Sequence, residues 1–453
     1  MGILVAVILV ASQLVAAFTH SIGLVYLSLL TGAMPLNLDS SKDLMIASPF
    51  GKLDVNAMRL FGLWVGASLV LLFHLDKAWK YFTAHSYHVV FLVFCCLGFL
   101  WAPSPVYGIR MFLKLSAPFM FLILVLVSVQ SERQLATIRK IILFSGFAVF
   151  AVAVLLMLAG IQSSLDHRLT IPSTSAAGFS AHLVAVSILA LTGLLYDGRI
   201  KNGLLVLCLS IGTLLAVTRI TTAALFIGFC VVLYFGLSGI SRFILPVGGI
   251  IALPALFLFN ETFRDRMFFS GKLMSAGQIL HDPSGALGNV RGSGRFAAWQ
   301  NVFDQFVVPS PLVGSGTGAT QHYFYTHSIT GLGAIHSDYL RLLAEVGIIG
   351  TVLFLAAMLI YGIKMIRIYR EMPATEAGRY ALAAVAALAA YLVVMATDNA
   401  FDYVNLFGIY VFSFVAMSEK AKELQQARET MAEMPVSNSF EATCITKGYC
   451  VDV

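Results

Sequence analysis

A chain of 453 residues that is 59% hydrophobic and only 11% charged cannot cover a soluble surface of its own size, because soluble domains carry about a quarter charged residues. Lipid must supply the missing solvent. The net charge of +6 is what Lys and Arg on cytoplasmic loops give a membrane protein, and nucleic acid is not an expected partner.

The apolar runs are long and continuous, as in Ala381 to Met395. Backbone groups in lipid must satisfy one another, and barrel strands alternate apolar and polar, so the spans are helices. Met1 to Phe18 lacks a basic n-region and reads as a retained first span. Runs near the 20 or so residues a span needs lie at 3–30, 57–74, 86–103, 107–129, 138–160, 176–195, 203–217, 221–237, 243–259, 343–366, 380–397 and 403–418. The first fits either one tilted helix or a tight hairpin. The predicted fold is therefore an all-α polytopic membrane protein with about twelve transmembrane helices and one long periplasmic loop. Helices 1–9 occupy 1–259, the loop 260–342, helices 10–12 343–418, and a polar cytoplasmic tail 419–453, whose last residues have a disordered composition.

Orientation follows from basic residues in short loops. Lys77 and Lys80, then Arg133, Arg139 and Lys140, then Arg199 and Lys201, then Arg242, then Lys364, Arg367, Arg370 and Arg379 all fall on one side if the spans alternate. That side is expected to be cytoplasmic, with both termini on it. The loop from Asn260 to about Ile335 then faces the periplasm. No internal repeat is visible. Cys95, Cys96, Cys208 and Cys230 lie in apolar runs, Cys444 and Cys450 lie in the tail, and no CxxC or Cys/His metal spacing occurs.

Some cations break this pattern. Arg219 sits between two apolar runs at the expected outer surface, and Arg110 and Lys114 share a helical face one to two turns below it. They read either as snorkelling or carboxylate-paired side chains, or as a phosphate site, since Arg offers a fork of donors and Lys a point charge. A lipid-linked pyrophosphate in the outer leaflet would sit at this depth, and a soluble anion could use the same cluster.

The long loop carries Ser293-Gly294-Arg295-Phe296-Ala297-Ala298-Trp299, in which Arg295 is either a solvated charge or a further phosphate ligand. The run Gly314-Ser315-Gly316-Thr317-Gly318 lacks the Lys-Ser or Lys-Thr ending of a P-loop, so Gly314, Gly316 and Gly318 are expected to permit a tight turn. In Ala334-Ile335-His336-Ser337-Asp338, Ser337 or Asp338 is a helix N-cap. That places His336 at a helix start on the membrane surface, where a neutral imidazole could serve as a general base or simply fill a capping turn. His322 and His327 read as structural or exposed. Asp398 and Asp402 near the last outer loop are a minor candidate pair, or else a helix cap and a salt-bridge partner. No DxD, HExxH or paired intramembrane carboxylate appears, and neither metal nor cofactor is expected.

The Gly-rich turn, followed by His336-Ser337-Asp338-Tyr339-Leu340-Arg341 and by Glu345-Val346-Gly347-Ile348-Ile349-Gly350, resembles the bacterial O-antigen ligase and polysaccharide polymerase superfamily. Thr218-Arg219 and the Ser293 to Trp299 piece fit it too. The resemblance implies an inverting, metal-independent glycosyltransferase of the inner membrane, working at the periplasmic face. Its donor would be a glycan on undecaprenyl pyrophosphate, and its acceptor the lipid A core or another lipid-linked repeat unit. Arg219 and Arg295 would hold the pyrophosphate and His336 would activate the acceptor hydroxyl. Many members carry Asn after the motif His, where this chain has Ser337. A lipid-linked glycan flippase or an anion transporter is the alternative of another class, but it would place its charges near the bilayer midplane on broken helices.

Overall fold

The computed structural model describes residues 2–32, 46–48, 51–53, 55–160, 168–171, 175–244, 246–249, 251, 281, 295–327 and 334–433. The tail beyond 433, Ser293 and Gly294, and most of the long loop and of the expected span at 243–259 lie outside them.

The first apolar run is a hairpin of two helices, α1 (Gly2–Thr19) and α2 (Ser21–Gly32), joined at His20. Phe18 meets Phe73 at the end of α3 (Val55–Phe73), while Arg59 near its start donates to the Thr31 carbonyl. Thus α1 runs parallel to α3 and α2 antiparallel to it. Gly2 and Glu433 consequently lie at opposite ends of the bundle, and the expectation of both termini on one side does not hold. Between α2 and α3 the strands β1 (Ile46–Ser48) and β2 (Gly51–Leu53) pair antiparallel, a small exception to the all-α expectation.

After α3 the chain bends by 109° into α4 (Leu75–Ala84), which lies across the end of the bundle instead of prolonging the span. Its Ala78 and Tyr81 are buried and Trp79 is exposed. There follow α5 (Ser86–Leu97), α6 (Pro105–Ser128), α7 (Glu132–Leu158), α8 (Ala176–Asp197), α9 (Ile200–Leu215) and α10 (Arg219–Gly236). Beyond the long loop come α11 (Arg295–Val302), α12 (Ala319–Thr326), α13 (Asp338–Glu371), α14 (Glu376–Thr397) and α15 (Ile409–Glu433). Among the described residues, seven helices are long and apolar enough to cross a membrane, or eight with the bent pair, and four shorter apolar helices accompany them. The expected twelve is not reached among the described residues: the runs at 3–30, 86–103 and 203–217 yield only short helices, the run at 57–74 qualifies only as part of the bent pair, and most of the run at 243–259 lies outside the described residues.

The packing centre is α6, α8, α14 and α15, whose apolar stretches are mostly buried. The Ala-rich α14 presents little side chain, so α10, α13 and α15 approach it closely. The opposite extreme is α7, whose Phe144, Phe147, Leu155 and Leu158 are exposed for lipid.

The basic loop residues do gather at one end. Arg139 and Arg379 reach Asp197 and Glu376, Lys80 reaches Glu423, Lys364 reaches Glu419, and Lys422 reaches Glu371. The helix α15 continues this polar surface past Glu419 to Glu433. His336 and the start of α10 lie at the other end.

Candidate functional site

The site is built on a broken helix. Inside α13, Gly347 has φ 64° and ψ −169°, so the helix stops after Val346 and restarts at Ile348. The break frees backbone groups that lipid could not satisfy. The Gly-rich loop fills them. Ser315 and Gly316 N–H groups donate to the Ala344 and Glu345 carbonyls at 2.8 and 3.0 Å, and Ile348 and Ile349 N–H groups donate to the Pro311 and Leu312 carbonyls at 2.8 and 3.1 Å. Backbone can dock this closely only where no Cβ intervenes. Gly314, Gly316 and Gly318 all have positive φ, 73°, 98° and 83°, and a Cβ on Gly316 would strike the Ala102 backbone. Glu345, buried at the break, accepts from the Gly318 N–H at 2.8 Å and from the Thr320 hydroxyl. The Gly-rich run is therefore a tight docked turn, with the Gly314, Ser315, Gly316 and Gly318 N–H groups spent inside the fold.

Gly316→Ala should accordingly destabilise the protein. A side chain at that φ costs about 1–3 kcal/mol in backbone strain alone, before the clash with Ala102. Thermal unfolding in detergent should show a lowered midpoint; an unchanged midpoint would mean the loop is not docked in this way.

Ser337 caps α13, its side chain accepting from the Leu340 N–H. The residue before it, His336, adopts φ 52°, an uncommon conformation for a residue with a side chain. This holds the ring over the C-terminal end of α14, with Nδ1 3.4 Å from Asp398 Oδ1. That is long for a hydrogen bond, as catalytic contacts without substrate often are. Asp398 is buried, its side chain 7% exposed, whereas that of His336 is 27% exposed. The same carboxylate oxygen accepts from the Tyr403 hydroxyl and the Asn399 N–H, both at 2.9 Å. So Asp398 is more than a cap. It meets Nδ1 and leaves Nε2 as the ring atom able to take a proton.

Arg295 opens α11 and reaches the same corner, Nη1 donating to the Thr397 carbonyl at 2.7 Å, one residue before Asp398. Arg219 is the first residue of α10, following Val217 at φ 49°. Thr218 makes no side-chain cap there, and it joins Thr221 and Ser180 in a hydroxyl cluster. A helix N-terminus next to Arg and hydroxyl groups suits an anion. The first turn of α8 links the two halves: Ser180 touches Thr218, while Gly178 lies against the Tyr403 ring.

The other expected residues are placed differently. Lys114 forms an ion pair with Asp402 at 2.6 Å, and Asp402 also meets Arg341 at 3.2 Å. This is the carboxylate pairing open to both Lys114 and Asp402 from sequence. Arg110 lies one helical turn before Lys114 on α6, half-buried. His322 packs against Tyr107, and His327 is exposed beside Thr326. Missed by sequence were Asp398 as the partner of His336, the buried Arg341, and Glu345. A buried Arg or Glu inside an apolar run was the available signal.

Residues 204–355 match the family model described as O-Antigen ligase. This stretch belongs to the O-antigen ligase and polymerase superfamily. The match runs from α9 into α13 and so contains Arg219, Arg295, the Gly-rich turn and His336. Asp398 and Asn399, which complete the corner around His336, lie beyond the superfamily match. No curated protein matches the chain.

Proposed function

We propose that the protein is a membrane glycosyltransferase of the O-antigen ligase type, carrying a glycan from undecaprenyl pyrophosphate to a sugar hydroxyl of the lipid A core. The site would face the periplasm from the inner membrane. What carries this reading is the corner at which His336, Asp398 and Arg295 meet at one end of the bundle, opposite the basic loops. A transporter would instead place such groups near mid-span. A polymerase using the same donor and a lipid-linked acceptor is the second reading; the family match embraces both.

The chemistry is a single displacement. Nε2 of His336 takes the proton of the acceptor hydroxyl while that oxygen attacks the anomeric carbon. The anomeric C–O bond to pyrophosphate breaks on the opposite face, so configuration inverts, and undecaprenyl pyrophosphate leaves with the electron pair. Arg219 and Arg295 stabilise the charge gathering on the departing oxygens, the role electrostatic preorganisation plays in acyl and phosphoryl transfer. Asp398 balances the imidazolium that forms.

Purified protein given a lipid-linked glycan donor and lipid A core should yield the glycosylated core, and should do so with a chelator present. Transfer lost in EDTA and restored by a divalent cation would refute the metal-independent mechanism. Product only on a lipid-linked acceptor would favour the polymerase reading.

A further inference from the structure

The displacement above makes one demand on Asp398 from start to finish. His336 takes the acceptor's proton at Nε2, so Nδ1 keeps its own proton throughout, and Asp398 Oδ1 faces it at every stage. The charge on the ring changes while the acceptor at Nδ1 stays in place. Whatever holds this carboxylate still is therefore part of the site.

Two donors meet Asp398 Oδ1 at 2.9 Å each, both closer than the 3.4 Å to the ring. One is the Asn399 N–H, which joins Asp398 only to the next residue of its own turn. The other is the Tyr403 hydroxyl, five residues on. Tyr403 closes a 3-10 turn (Ala400–Tyr403) after α14, and a wider π-helical turn (Val404–Gly408) carries the chain into α15. Its ring packs on the first turn of α8 at Gly178, where even a Cβ would come within 3.1 Å of it. The hydroxyl is thus offered by a ring that packing has already fixed. This bond ties the carboxylate to α8, the helix whose Ser180 touches Thr218 ahead of Arg219.

We propose that Tyr403 is a positioning residue for the transfer: its hydroxyl, braced against α8, holds Asp398 Oδ1 at His336 Nδ1, so that the carboxylate meets the imidazolium as it forms. Tyr403 acts through Asp398, and the proposal rests on His336 being the base. Without the hydroxyl, Oδ1 keeps the Asn399 N–H alone, and the carboxylate can turn about its Cβ–Cγ bond away from the ring. The lost donor also leaves more negative charge on the carboxylate, which favours the imidazolium. The contact to Nδ1 is already long, however, and hydrogen bonds weaken steeply with misalignment, so the geometric loss outweighs that gain.

The test is a double-mutant cycle read in kcat and KM. Tyr403→Phe keeps the ring on Gly178 and removes only the donor. It should lower kcat about three- to thirty-fold, part of the worth of a hydrogen bond to a charged group, with donor KM unchanged. An unchanged or raised kcat would overturn the proposal. In an Asp398→Ala background the same substitution should cost nothing more, since no carboxylate is left to hold. An equal loss in both backgrounds would make Tyr403 merely a packing residue of α8, and the proposal would fall. A His336→Ala protein with wild-type kcat would instead sink the base reading itself, so the two failures are distinguishable. Ring ¹⁵N spectra of histidine-labelled protein give a readout independent of turnover. The His336 Nδ1 resonance, assigned by its loss in His336→Ala, should move in Tyr403→Phe, and an unmoved resonance would count against Tyr403 holding Asp398 at the ring.

Discussion

His336→Ala is expected to lose about 10²- to 10⁴-fold in transfer rate while still binding the lipid-linked donor, the range general-base catalysis usually supplies. The expectation rests on where the ring sits. A non-glycine residue at φ 52° presents it at the surface end of α13, and a buried carboxylate meets Nδ1. Nothing in the packing centre depends on it, so removing the imidazole should leave the fold intact. His322→Ala and His327→Ala are the controls, since one packs on Tyr107 and the other is exposed. Asp398→Asn should lose part of the same effect, because a neutral amide cannot balance the imidazolium. Near-normal turnover in His336→Ala would leave positioning and charge stabilisation to carry the reaction. Loss of donor binding in that variant would make His336 a pyrophosphate ligand instead.

Arg219→Lys is expected to lose about one to two decades of activity despite keeping its charge. A charge-assisted hydrogen bond to phosphate is worth roughly 1.5–3 kcal/mol, which is that factor if the contact tightens in the transition state. Lysine brings a point charge, whereas a guanidinium can meet two phosphate oxygens at once. Arg219 begins α10 beside the Thr218, Thr221 and Ser180 hydroxyls, so the helix terminus adds to the attraction for an anion. Arg295→Ala should behave differently. Its Nη1 holds the Thr397 carbonyl next to Asp398, so its loss should disturb the His336 corner as well as donor binding, lowering kcat and raising donor KM together. Full activity of Arg219→Ala at normal expression would remove this arginine from the donor site.

The structure also explains why the motif downstream of His336 reads as it does. Glu345, Gly347 and Gly350 lie at the break in α13. Gly347 makes the break, Glu345 anchors the loop that repairs it, and Gly350 lets the Phe94 ring approach. The sequence pattern marks a joint that carries the Gly-rich loop, rather than a simple helix start.

Composition and periodicity by themselves determined the helical membrane architecture and the separation of basic loops from the outer cations. Both are one-dimensional properties: apolar length sets a span, and Lys and Arg bias its ends. The same logic singled out Arg219, with Arg110 and Lys114, as cations standing where orientation gains nothing from them, while His336 and Arg295 stood out by the loop motifs and the family those motifs resemble. It could not decide the hairpin at His20, because an apolar run of that length satisfies one tilted helix or two short ones equally well, and only packing on α3 chooses. It could not place Lys114 either. From sequence it is a cation near a span end, and a carboxylate 288 residues away, Asp402, reaches it. Nor could it join His336 to Asp398 and Asn399. Those residues close α14, 62 and 63 positions further on, and they meet the ring only because α13 and α14 pack antiparallel with their ends in register. Which partner faces a side chain is set by such long-range packing, and no local pattern encodes it.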